Sequence, residues 1–264
     1  MRRITLKLKK QSVWTAFVVM AMFALLPLTV QAADGNVHLE IGSDTIEIST
    51  FYNGTTLYVH GEVPVDADVV LEVSGPRHDV HLKEKGKVAG FLWMNKTDVS
   101  LENTPAVYMV FVPSNAGANF LSPELGIGYK ALLADIEISP KSEDKDFIFG
   151  EYVKLMEDSG VYSVKNDAIT YGKVANGLKN FSATLTIPSK MGTGAYTVTA
   201  ASVENGAVTG TMSKDLKVEL KGFPAFISNL AFGHPLLFGI LAVVIAIGAG
   251  LLVGTLFKGG GGAH

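Results

Sequence analysis

The run Pro235–Phe257 holds 23 residues and no charged side chain, and it consists mostly of Leu, Ile, Val, Ala and Gly. At about 1.5 Å per residue a helix of this length reaches roughly 34 Å, enough for a hydrocarbon core of ~30 Å. Pro235 suits the first helical turn, where its missing N–H costs nothing. Whatever precedes this run must therefore fold beside a membrane. Lys258 and a Gly-rich tail, residues 258–264, follow it and are expected on the cytoplasmic side.

A second apolar stretch lies near the start. Arg2, Arg3, Lys7, Lys9 and Lys10 precede it, and Val30-Gln31-Ala32 closes it. Basic head, apolar middle and small-x-small exit read as a secretory signal peptide over residues 1–32, cut after Ala32. An uncleaved anchor is the alternative. Either way the body is expected outside the cytoplasm, in a bacterial periplasm, with the inner membrane as its support.

Composition narrows the function. Among 264 residues there is no cysteine, so disulfides, thiolate metal sites and cysteine nucleophiles are excluded. The body between the two apolar runs carries a net charge of −9. A nucleic-acid partner would want the opposite sign, so none is expected. Two spans at most exclude a polytopic transporter.

The body reads mainly as strands. Val37, Leu39 and Ile41 alternate with polar neighbours, as do Ile46 and Ile48, Leu57 and Val59, and Val69, Leu71 and Val73. Val88–Met94 reads as another strand. Val107–Val112 is nearly continuous apolar sequence, as in a strand buried on both faces. Asn53-Gly54 and Asn205-Gly206 are hairpin signals. Phe147–Ser159 reads as a helix, with Gly160 free to take the left-handed position after it. A shorter helix is expected around Pro123–Leu133. The expected architecture is mainly β. It has two immunoglobulin-like β-sandwich units, residues 33–113 and 161–222, joined by a partly helical connector, 114–160. A juxtamembrane segment, 223–234, and the transmembrane helix, 235–257, complete it. One composite sandwich with a helical insertion is the alternative.

In the juxtamembrane segment Phe223, Phe226, Ile227 and Leu230 share one helical face, which suits a helix lying in the headgroup layer. A loop tucked under the body is the competing picture. Within the span, Ala242, Ala246, Gly250 and Gly254 recur every four residues. Small residues in one register let two helix backbones approach closely in lipid, so homo- or hetero-association through this helix is expected. Ordinary abundance of Gly and Ala in such helices is the bland account.

Chemistry is sparse. His78 and His81 are the close histidine pair and the candidate metal ligands. They would need a third ligand, with His38, His60 and Asp66 as candidates. Ordinary surface histidines explain them as well. No G-x-S-x-G or H-E-x-x-H motif occurs, and the carboxylates are scattered. No catalytic residue and no cofactor is assigned, and an enzyme is not expected. A hydrolase would need two carboxylates converging in a concave pocket. Trp93 is expected in the core, with a binding role beside Tyr52 and Tyr58 as the alternative. Three sequons, at Asn53, Asn95 and Asn180, read as chance.

Certain residues carry a family likeness by their order. They are Phe51, Gly54, Leu57, Val59 and Gly61, then Asp68-Val69-Val70, Gly75-Pro76, Gly90-Phe91-Leu92-Trp93-Met94-Asn95, Pro105 and Tyr108. Later come Gly194, Tyr196, Val198, Asn205-Gly206, Gly222-Phe223 and His234-Pro235-Leu236-Leu237-Phe238-Gly239. Together they resemble a bacterial transmembrane protein family of alphaproteobacterial type. The resemblance implies a signal peptide, a periplasmic body and one C-terminal helix. Members of that family are found beside sulfite-exporter-type permeases, which implies an accessory role. It assigns no functional residue.

Overall fold

The computed structural model describes residues 37–88, 91–114, 121–140 and 144–257, without the side chains of 84, 88, 93, 96 and 97. The expected signal peptide, 1–32, and the tail, 258–264, lie outside the described residues.

Strands from both ends of the chain interleave. One sheet, in the order β1-β3-β11-β10, joins β1 (His38–Ile41) and β3 (Thr55–Pro64) to β11 (Leu178–Ile187) and β10 (Ile169–Ala175). β3 and β11 pair antiparallel along their whole length, from Thr55↔Ile187 to Pro64↔Leu178. Both alternate strictly. Leu57, Val59 and Val63 are buried on one strand, and Phe181, Ala183, Leu185 and Ile187 on the other. Matching period-two faces on two strands can merge into one apolar surface, and each fully buried Leu or Val adds roughly 1.5–3 kcal/mol.

The second sheet runs β2-β13-β12-β4-β7-β9. It contains β2 (Thr45–Ile48), β4 (Asp68–Ser74), β7 (Tyr108–Phe111), β9 (Tyr162–Lys165), β12 (Gly194–Glu204) and β13 (Ala207–Leu220). β7 is buried at every residue, as its unbroken apolar run required. A third, smaller sheet is the long hairpin of β5 (Arg77–Val88) and β6 (Leu92–Pro105), edged by β8 (Glu137–Ser139). Helices α1 (Tyr129–Asp135) and α2 (Lys145–Asp158) lie between β7 and β9 in sequence, and α3 (Phe223–Gly233) and α4 (Pro235–Phe257) end the described chain.

The mainly β reading and the C-terminal apolar helix hold. The division into two units, 33–113 and 161–222, does not. β3 pairs with β11, β4 with β12 and β7 with β9, so every large sheet crosses the expected boundary. One hydrophobic cluster collects Leu39, Leu57, Leu71, Val110, Tyr162, Leu185, Tyr196 and Leu216 from both sheets, and Tyr152 from α2. Each large sheet draws strands from both halves of the body. Neither half can complete its own sheet, because each supplies central strands that are edges without the other.

Two local readings also change. Asn53-Gly54 does not close a hairpin. β2 pairs parallel with β13 while β3 pairs with β1, so the turn carries the chain from one sheet to the other. Gly54 still needs its left-handed φ of 88° there. Val88–Met94 is not one strand. β5 stops at Val88, β6 starts at Leu92, and Phe91, Leu92 and Met94 are exposed. Asn205-Gly206 does turn β12 into β13, with both residues at positive φ.

Candidate functional site

α4 spans Pro235–Phe257 with a mean hydropathy of 2.9 and none of its apolar window buried. Among the described residues it is the one helix long and apolar enough to cross a bilayer. Its small residues, Ala242, Ala246, Gly250 and Gly254, lie on the exposed surface. A Cβ added to Gly250 or Gly254 would meet nothing within 4 Å in this chain. The described chain itself gives no packing reason for glycine there.

Two residues, Lys221 and Gly222, separate the end of β13 from the start of α3. Lys221 N–H donates to the Ile48 carbonyl at 2.9 Å, and its ammonium pairs with Glu47. Phe223, Phe226 and Phe232 of α3 are exposed, while Ile227 and Leu230 of the expected face are half-buried. The segment is a helix rather than a tucked loop.

His78 and His81 make separate contacts. His78 lies opposite Thr104, and its carbonyl accepts from the Thr104 hydroxyl at 2.8 Å. The His81 ring bonds the Ser100 hydroxyl at 2.8 Å. A register shift separates them, between His78 and Val80. The two histidines named above as distant third ligands are the ones that meet. On the outer face of the four-stranded sheet, His38 stands opposite Glu62 and Glu40 opposite His60. His60 Nε2 lies 2.8 Å from Glu40, and His38 Nε2 lies 3.8 Å from it. With Gly61 and Ser182 they line a shallow depression of about 470 Å³. Strand register alone brings residues 38 and 60 together, and a sequence scan for near neighbours misses it. Among the described residues no group of three or more His, Asp or Glu is arranged to hold a metal ion. The side chain of Trp93 lies outside the described residues, so its expected core role is untouched.

A second polar cluster is interior. Tyr108 of β7 donates its hydroxyl to Glu72 of β4 at 2.9 Å and accepts from the Gly128 N–H at 3.0 Å. Tyr129 and Tyr162 stack at 6.2 Å, and both rings pack near Tyr108, at 6.1 and 6.0 Å. Tyr162 donates to the Pro105 carbonyl at 2.7 Å. Burial pushes the Tyr108 and Tyr162 hydroxyls well above the ordinary tyrosine range, so they act as neutral donors. These bonds tie α1 and the roots of the hairpin to the six-stranded sheet.

Burial also raises the Glu72 carboxyl above its ordinary value, against the lowering effects of the Tyr108 hydrogen bond and the Arg77 charge. The folded state therefore binds this proton more tightly than the unfolded chain does. The stability it contributes is fully present below the ordinary glutamate value and is lost as pH rises through the folded value. In thermal melts from mildly acidic to neutral pH, Glu72→Gln should flatten the decline in stability with rising pH. A slope identical to that of the parent would show that Glu72 titrates as it does in the unfolded chain.

Among the described residues, a β-rich body joined to one helix long and apolar enough to cross a bilayer has the plan of a single-pass membrane protein. Residues 36–259 match the family described as "Putative transmembrane protein (Alph_Pro_TM)". The chain belongs to that family. No curated protein matches the chain.

Proposed function

We propose that the protein is a non-enzymatic module anchored in a bacterial inner membrane, with its body in the periplasm. It acts as an accessory to another membrane protein, such as an anion permease of the sulfite-exporter type. The observation that supports this reading most directly is the small-residue face of α4, exposed along its length. In lipid no hydrophobic effect drives helices together, so close backbone approach and van der Waals packing must do so. Steps of four residues drift about 40° each around a helix of 3.6 residues per turn, so the stripe slants across one face. A slanting stripe suits a helix that crosses at an angle. The basic N-terminus and the Val30-Gln31-Ala32 exit support export of the body. The absence of G-x-S-x-G and H-E-x-x-H motifs in the sequence supports a binding role over a catalytic one.

Gly250→Leu with Gly254→Leu should abolish recovery of the partner, or of a second copy, when full-length protein is purified from its native membrane in mild detergent. The β body should keep its circular-dichroism spectrum. Undiminished recovery with both leucines in place would remove the stripe from the account.

A further inference from the structure

The β5–β6 hairpin ends in an exposed apolar group. Its exposed end holds Phe91, Leu92 and Met94, which are 79%, 51% and 49% exposed. Three large apolar side chains at one hairpin end are costly in water and need a nonpolar surround. Charge then narrows what that surround is. Residues 85–97 contain Lys85, Lys87 and Lys96 and no acid, within a body whose net charge is −9. Lys83 and Asp98 pair at 3.2 Å just behind this segment, where the acidic residues begin again. An apolar tip collared by lysines matches the layering of an anionic bilayer surface, with acyl chains below and phosphates above.

Topology places the hairpin's root near the anchor. β13 runs toward α3, and its Val218 pairs with Gly194 at the start of β12. β12 in turn pairs its Thr197 with Ser74, the last residue of β4. Pro76 approaches Gly194 closely enough to touch an added Cβ at 3.0 Å. Tyr108, where β7 resumes after the hairpin, also pairs with Ser74. Both ends of the hairpin thus join the sheet at the end from which the chain leaves for the bilayer. The 12 residues of β5 give about 40 Å of reach at ~3.3 Å each.

We propose that this hairpin is a second membrane contact, which seats Phe91, Leu92 and Met94 among the anionic headgroups of the bilayer that α4 crosses. The contact rests on the membrane anchor alone and not on the helix stripe or on any permease.

Trp93 supplies the probe, since Trp14 is the other tryptophan in the sequence and neither α3 nor α4 has one. Full-length protein carrying Trp14→Phe is placed in vesicles of phosphatidylcholine and phosphatidylglycerol, with and without a lipid that bears a shallow doxyl quencher. The doxyl lipid should quench Trp93 emission by roughly half, as for a side chain at the acyl boundary. Quenching should weaken sharply in pure phosphatidylcholine and in Lys85→Glu/Lys87→Glu. A tip that acrylamide quenches freely and doxyl lipid does not would overturn the proposal. So would a tip shielded from both, which would mean that protein covers it. Phe91→Ser/Leu92→Ser should lose the doxyl effect with an unchanged circular-dichroism spectrum, which separates insertion from folding.

Discussion

Gly61→Ala should destabilise the protein by about 3 kcal/mol, lowering Tm by roughly 6–12 °C. Gly61 sits mid-strand in β3, flanked in register by Leu39 on β1 and Phe181 on β11. A Cβ at this position would run into the His38 carbonyl and would come within 2.7 Å of the Phe181 ring. The ring lies over the glycine and fills the space that a side chain would take. Phe181 is itself buried, at 2% exposure, and cannot swing out to water without emptying the core. Overpacking here therefore strains both partners of the central strand at once. Thermal melts of the full-length protein in detergent would check it, and a shift under 2 °C would show that the sheet relaxes around the methyl group. Gly61→Ala with Phe181→Leu should recover part of the loss, because the two changes share one volume.

Tyr108→Phe should cost about 2 kcal/mol, a fall in Tm of roughly 4–8 °C. Removal of one hydroxyl leaves the Gly128 N–H without its acceptor and Glu72 without its donor. Both lie where little water can replace it, so the loss exceeds that of a surface hydrogen bond. Gly128 is at φ 91° and opens α1, so the first effect should be loosening of the 121–135 segment. Hydrogen exchange would show faster exchange there, before any change in β3 and β11. A double-mutant cycle with Glu72→Gln should be non-additive. Additive losses would mean that the two side chains do not act together.

Much of the fold can be read along the sequence, and the exceptions share one cause. β7 announces itself by its unbroken apolar run, and β3 and β4 do so because alternation is local to each strand. α2 and its Gly160 terminus do so for the same reason, and Gly160 takes φ 79° as expected. Asn205-Gly206 is read correctly because a two-residue turn fixes its own neighbours. Asn53-Gly54 has the same letters, yet Ile46 and Ile48 find a better partner in β13, more than 160 residues on. Pairing at that distance leaves no mark in a window of ten residues. The split into two units fails in the same way, since nothing in residues 55–64 names residues 178–187 as their partner. Among the functional candidates, α4 was legible to the residue because hydropathy and length are one-dimensional quantities. The meeting of His38 with His60 is a product of register, and the neighbouring letters His78 and His81 drew attention instead. Phe91, Leu92 and Met94 look like strand core in sequence. In the structure they are exposed where β5 and β6 end their pairing.

The junction between body and membrane has a mechanical consequence. Only Lys221 and Gly222 separate β13 from α3, and Lys221 is held to the strand beside it by its backbone bond to Ile48 and its pairing with Glu47. Two residues span at most about 7 Å. The link from the body to α3 is therefore short and held at one end. A tilt or twist of α3 reaches β13 through this short link as torque. That strand lies in the sheet next to β12, which continues to β4, so the load enters the centre of the fold rather than a loose end. A partner that grips the membrane helix would in this way hold the whole body by its handle.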